Sequence, residues 1–254
     1  MNESIPDRPR RRKRSPTPSE RKSVRSITGK LPTLCLLLAA LGLMAMGARM
    51  ATSGLAHYQT QAFLANWVAA AKEPDPRAWT IAEEAAQRAV AWYPVANGVY
   101  LDQLGLVHSW QHFRQPYGAL DARNSRMAAL DAYRAAVEAR PTWPDTWVRL
   151  AHTKLYLLDF DAEFDHAMLQ ASTLGPWRIG INRELTDIGL TAWPQLDTTQ
   201  RAATLEAARR TVAYSSNDAK RTEQLANHTA MTEVLCQSLD PSLRAKRGLC
   251  QEWQ

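Results

Sequence analysis

The sequence predicts an all-α protein: a single N-terminal transmembrane helix, then helices stacked as antiparallel pairs into a solenoid. Three observations predict it. An uncharged run, LPTLCLLLAALGLMAMGA, fills residues 31–48. Beyond residue 50 alanine is abundant, glycine is rare, and no stretch sustains period-two alternation. Small residues recur there on one helical face, each set followed by a proline.

The apolar run comes first. Its eighteen residues are at the short end of what spans a bilayer as a helix. Pro32 falls where a first helical turn tolerates proline. The flanks set orientation. Net charge is +6, but residues 1–30 hold ten Lys/Arg against Glu3, Asp7 and Glu20, so they carry +7 and the remainder −1. The positive-inside rule then predicts a cytoplasmic N-terminus and an extracytoplasmic C-terminal domain. A nucleic-acid-binding domain is a poor explanation of a basic pI that belongs to a tail. The tail, residues 1–30, is too polar to bury a core and is expected to be disordered. A cleaved signal peptide is the rival for 31–50, with small residues at Gly47, Ala48 and Ala51, although the basic stretch before it is long for that role.

The next elements follow from punctuation. Prolines at 74, 76, 94, 116, 141, 144, 176, 194 and 241 mark helix boundaries. They give helices near 52–72, 77–93, 98–112, 124–139, 144–158, 161–173, 177–192, 199–214 and 219–238. Residues 51–76 read as a juxtamembrane helix or linker, and 194–254 as a C-terminal helical segment.

Residues 77–193 read as tetratricopeptide-like repeats, units of about 34 residues in which two antiparallel helices alternate large and small residues. Ala82, Ala86 and Ala89 before Pro94, and Ala129, Tyr133 and Ala136 before Pro141, have the second-helix spacing. Phe164, Met168 and Ala171 before Pro176 fit more loosely. Small residues there let the partner helix approach. Leu101, Leu104 and Gly105 carry the first-helix signal, and Trp147, Leu150 and Ala151 repeat it. An insertion of about a dozen residues, within 108–125, interrupts the unit containing Gly105. First helices of such solenoids line a concave groove that binds partner segments. Counting along 144–158 places His152 and Tyr156 in that groove, with Trp110 the equivalent in the preceding unit.

Catalytic motifs are missing: there is no GxSxG, P-loop, GxGxxG or HExxH. His108 and His112 share a helix face, but nothing in sequence ties a third metal ligand to them. Asp159, Asp161, Glu163 and Asp165 cluster at a turn and a helix start, where capping and solvation explain acids better than glycoside hydrolysis does. Trp143 and Trp147 flank Pro144 and read as packing anchors before a sugar platform. No cofactor, metal or catalytic residue is expected. Cys236 and Cys250 would lie in an oxidising compartment, and the thirteen residues between them form a loop able to close into a disulfide, though spacing alone does not fix the geometry.

One segment is distinctive: Arg140-Pro141-Thr142-Trp143-Pro144-Asp145-Thr146-Trp147, with Leu174-Gly175-Pro176-Trp177 and Ile188-Gly189-Leu190 after it. With the anchor, this resembles the VpsP-like polysaccharide-biosynthesis family, over the anchor and about residues 75–195. The sequence departs from that pattern at Arg178-Ile179, where an acidic residue and a proline would be expected. The resemblance implies a bacterial inner-membrane protein that supports exopolysaccharide synthesis, export and biofilm formation by binding proteins of that machinery, with polysaccharide contact a further option. Two rivals stand beside it: a sugar-modifying or lytic hydrolase on a helical toroid, and a tetratricopeptide-like scaffold for another envelope process.

Overall fold

The computed structural model describes the backbone of residues 20–251 and the side chains of residues 31–251. Among the described residues every regular element is a helix. The chain divides into two compact units, Met1–Ala48 and Arg49–Gln254.

The described part of the first unit is the first portion of α1 (Glu20–Ala70). The stretch Leu31–Ala70 is long and apolar enough to cross a membrane by length and composition, a test that a signal sequence also passes. Two expectations change here. Helix begins at Glu20, inside the segment expected to be disordered; residues 1–19 of that segment lie outside the described residues. Extending a helix that is already nucleated adds one hydrogen bond per residue fixed, so a polar flank can continue it. Pro32 consequently sits inside the helix and not in its first turn.

Nor does a break separate a membrane helix from a juxtamembrane one, because α1 runs on to Ala70. Within the second unit this last portion is core. Ser53, Ala56, Thr60, Leu64 and Trp67 are all buried, and their spacing of three or four puts them on one face. The Ser53 hydroxyl donates to the Ala89 carbonyl at 2.6 Å, and Leu64 and Trp67 join Ala82, Ala86 and Val107 in one apolar cluster. The segment read as a helix or linker is thus a packed helix.

The rest of the second unit is α2 (Pro76–Trp92), α3 (Gly98–Trp110), α4 (Arg123–Ala139), α5 (Pro144–Leu157), α6 (Ala162–Leu174), α7 (Ile179–Thr191), α8 (Thr198–Tyr214), α9 (Ser216–His228), α10 (Thr232–Ser238) and α11 (Pro241–Arg247). Local chemistry sets their starts. Asp75, Asn97 and Asp161 each accept two backbone N–H groups at the first turns of α2, α3 and α6. Asp197 and Gln200 form a reciprocal capping box on α8. Pro76, Pro144 and Pro241 open their helices. The helix expected over 219–238 is two helices. Ala230 between them has φ 58°, and the Thr229 hydroxyl bonds back to the Leu225 carbonyl at 2.9 Å. That competes with helix continuation in a stretch of poor helix formers, Asn227-His228-Thr229.

Each helix from α2 onward packs on its successor as far as α10, and α5, α6, α7 and α8 pack also on α7, α8, α9 and α10 respectively. The alanines named from spacing lie in these contacts: Ala82, Ala86, Ala89, Ala129 and Ala136 are buried, as are Tyr133, Phe164, Met168 and Ala171. Gly105 is needed for one of them, because a Cβ there would lie inside van der Waals contact with the Tyr133 ring. A cluster running from α4 to α8 forms the largest core. A second surrounds Cys236 and Cys250, joined by a disulfide with Cα atoms 5.8 Å apart.

Candidate functional site

A concavity of about 560 Å³ opens among α3, α5, α7 and the residues after α3. Trp110, His152 and Tyr156, the three residues placed in a groove by counting, all line it. The concavity falls within the range of small-ligand and side-chain pockets.

Its walls are aromatic, but the rings are already engaged. Trp110 lies beside Trp67, centroids 6.2 Å apart, and beside Phe113 at 4.6 Å. Tyr156 stacks on the His152 imidazole at 5.1 Å and 18°. Tyr117 packs on Tyr156 at 4.9 Å, and the Arg126 guanidinium sits 4.8 Å from its centroid. Arg126 also fastens the insertion. It donates to the carbonyls of Gln115 (2.7 Å), Pro116 (3.0 Å) and Tyr156 (3.0 Å), while the Gly118 N–H donates to Tyr156 at 2.9 Å. The insertion therefore folds over the end of α5 and brings Phe113 and His112 to the rim.

The floor is charged and paired. Arg149 bonds to the buried Asp102, which also accepts from the Thr146 hydroxyl at 2.9 Å. Tyr133, fully buried, shares a hydrogen bond with Ser109 at 3.2 Å, and burial pushes its phenol well above the usual range. On the α7 side, His152 Nδ1 is 2.8 Å from Glu184 Oε2, and its Nε2 is 3.6 Å from Asp187 Oδ2. Burial pulls the imidazole down, but the Glu184 hydrogen bond and the two carboxylate charges outweigh it and hold His152 above its ordinary value. Burial likewise raises Glu184, and the His152 hydrogen bond overcomes that and leaves it below the usual carboxylate range. Asp187 goes the other way, raised by burial and by the Glu184 charge. Two acids on one helix, three residues apart, are thereby driven in opposite directions.

Other constellations settle into structure. Asp159, Asp161 and Glu163 converge on the Lys154 ammonium at 2.9, 2.8 and 2.9 Å, and that side chain is fully buried. Glu163 also takes two bonds from Arg134, which with Lys154 hold its carboxyl down at about 2. Only Asp161 caps α6 as expected; Asp165 accepts from Gln200 at 2.6 Å. The acids therefore cage a buried lysine from one side, while Asp159, Asp161 and Asp165 stay open to solvent on the other. Trp143 lies under two guanidinium groups, Arg140 at 3.7 Å and Arg178 at 4.7 Å, so its ring is not a free platform. Trp147 donates to the Pro141 carbonyl at 2.6 Å, the turn-anchoring role. Arg178, where an acid was expected, pairs with Asp145 at 2.7 Å. His108 and His112 diverge: His108 packs on Trp79, 3.8 Å from Glu83, while His112 faces the concavity. Among the described residues no cluster of three or more His, Cys, Asp or Glu could hold a metal ion.

Sequence reasoning missed Asp102, Arg126, Arg149, Glu184 and Asp187. For α7 a signal existed. The count that placed His152 and Tyr156 on α5, carried one helix pair on, lands on the face bearing Glu184 and Asp187. Arg126 carried no such signal, because its partners are backbone carbonyls of the insertion. Comparison with known proteins finds no family model that matches this chain and no curated protein that does.

Proposed function

We propose that the chain is a non-enzymatic, membrane-anchored helical-repeat protein that holds a segment of a partner protein in the α3–α5–α7 concavity. One observation carries this reading. Three residues chosen by the register of a tetratricopeptide-like repeat, from helices more than forty residues apart, line one concavity with aromatic walls and a charged, paired floor. The packing of each helix from α2 to α9 on its successor, and of α5 to α8 on the next but one, agrees with a helix-pair solenoid. The basic tail before the apolar helix supports a cytoplasmic N-terminus and an extracytoplasmic domain. The setting, bacterial exopolysaccharide synthesis or export at the inner membrane, rests on the resemblance to VpsP-like proteins alone.

The test uses a deletion strain complemented with each variant at matched protein level. Changing Trp110, His152 and Tyr156 together to Ala should abolish secreted polysaccharide. It should also abolish partner adducts from a photo-crosslinking residue at position 180, which lines the concavity and has open space at its Cβ. Normal polysaccharide in the deletion strain would overturn the setting; adducts that survive the triple change would overturn the groove.

A hydrolase reading has one observation in its favour, the oppositely shifted pair Glu184 and Asp187 beside the concavity. Against it, His152 occupies both carboxylates. An enzyme would lose about 10²–10⁴-fold in rate when Glu184→Gln removes a positioned acid or base. A binding protein would lose output only in step with its adducts at position 180.

A further inference from the structure

We infer that His152 is a proton-operated latch between α5 and α7, closing the wall of the concavity when the imidazole is charged and loosening it when the proton leaves. Its meaning for function rests on the concavity being the binding site; its existence does not.

The geometry carries the inference. Glu184 and Asp187 stand three residues apart on α7, and both carboxylates point at one imidazole on α5. With both ring nitrogens protonated, Nδ1 donates to Glu184 at 2.8 Å and the Nε2 N–H faces Asp187 at 3.6 Å. The Nε2 atom is buried and has no hydrogen-bond partner, so the Asp187 charge is what it meets. Remove the proton and one nitrogen becomes an acceptor. The neutral ring can then satisfy one carboxylate only, and its lone pair confronts the other. Two like charges on adjacent positions of α7 then repel without a cation between them. The loss reaches the opposite wall, because the charged imidazole also stacks on Tyr156, which the insertion covers through Tyr117 and Arg126.

No neighbouring group substitutes for the proton. Arg149, one turn earlier on α5, is committed to Asp102 of α3, and its charge reaches Glu184 only as the smallest contribution, behind both those of His152. Arg126 of α4 is committed to three carbonyls. The cations on the far side, Lys154 and Arg134, serve Asp159, Asp161 and Glu163, and Asp165 of α6 serves Gln200. From the insertion and α5 the remaining titratable groups, Tyr117 and Tyr156, are both raised, chiefly by burial, and stay neutral. His112 faces the same concavity without pairing to either acid. His152 is raised despite its burial, so the latch is closed at mildly acidic pH and opens as pH rises through that value.

The test is hydrogen–deuterium exchange on the full chain in detergent micelles, following peptides from α7 at about pH 5.5 and about pH 8.5, with rates corrected for intrinsic exchange. In the parent chain, protection of α7 should be higher at the lower pH, by about tenfold for each unit that the folded His152 value exceeds the unfolded one. His152→Gln should give the weaker protection at both pH values. His152→Lys, a permanent cation, should give the stronger at both. Should either variant unfold, Asp187→Asn serves instead, and it should move the midpoint of the parent's pH dependence downward. An α7 exchange rate independent of pH in the parent overturns the latch, as does a His152→Gln chain with the parent's full pH dependence. No ligand enters the measurement. A latch that works while position 180 captures nothing would therefore fail the binding reading alone, and capture without pH dependence would fail the latch alone.

Discussion

His152 and Lys154 stand two residues apart on α5 and face opposite neighbours. Each basic group is held by carboxylates from outside α5. Lys154 meets Asp159, Asp161 and Glu163 with its side chain fully buried, and His152 meets Glu184 and Asp187 with 22% of its side chain exposed. The difference is the chemistry of the cation. Burial opposes the Lys154 charge, its three partners outweigh that, and it stays raised above an already high value. It is a permanent fastener. The same arrangement around an imidazole can lose its charge, because the histidine value it raises starts far lower than that of lysine. One helix thus carries a fixed tie on one side and a switchable one on the other.

The hardest way to break the fixed tie is to remove its cation. Lys154→Met should cost about 3–5 kcal/mol, because three carboxylates lose the charge they surround. Urea unfolding of the full chain in micelles measures it, and a cost below about 1 kcal/mol would mean that the cage is ornamental. Removing a tie that carries no charge provides the contrast. Cys236→Ser should cost about 3 kcal/mol, the value for closing a loop of this size, and the loss should be the same at every pH. Mass spectrometry of alkylated protein checks the bond itself; two free thiols would contradict it.

A pH profile of stability separates the two ties more finely. His152 is raised in the folded chain, so its stabilisation is complete below the ordinary histidine range and is lost as pH rises through the folded value. Each unit of that shift is worth about 1.4 kcal/mol. Glu163 is depressed to about 2, so its contribution is present above the ordinary glutamate range and is lost as pH falls toward that value. The parent should therefore lose stability at both ends, and His152→Gln should flatten the neutral limb only. The smallest effect is expected at the edge of the cage. Asp159 is 48% exposed, and Asp159→Asn should cost about 1 kcal/mol or less in the same unfolding assay, since Asp161 and Glu163 remain.

What was legible in the sequence was local. The prolines near helix boundaries and the alanines at offsets of three and four report on neighbours within a turn or two, and they located α2 through α8. Trp110, His152 and Tyr156 came from the same count. The His152 tie was not legible because it is non-local, Glu184 lying 32 residues beyond; the Lys154 tie spans only 5 to 9 residues, but nothing in the sequence marks that lysine as buried. An acidic cluster looks the same in sequence whether it is solvated or wrapped around a buried lysine. The unbroken α1 was hidden for a similar reason. Ser53, Ala56 and Thr60 are too small and polar to announce a buried face, although the helix interior accepts the Thr60 hydroxyl at the Ala56 carbonyl, 3.0 Å away.

That stripe on α1 has a consequence for the life of the protein. The apolar run ends at residue 48, and the folded unit begins at Arg49 with a helix it needs for its own core. A peptidase cutting beside Ala48 would leave Ser53, Ala56, Thr60, Leu64 and Trp67 all on the product side. The end of the apolar run therefore falls outside the stripe, and trimming the one leaves the other's buried face whole.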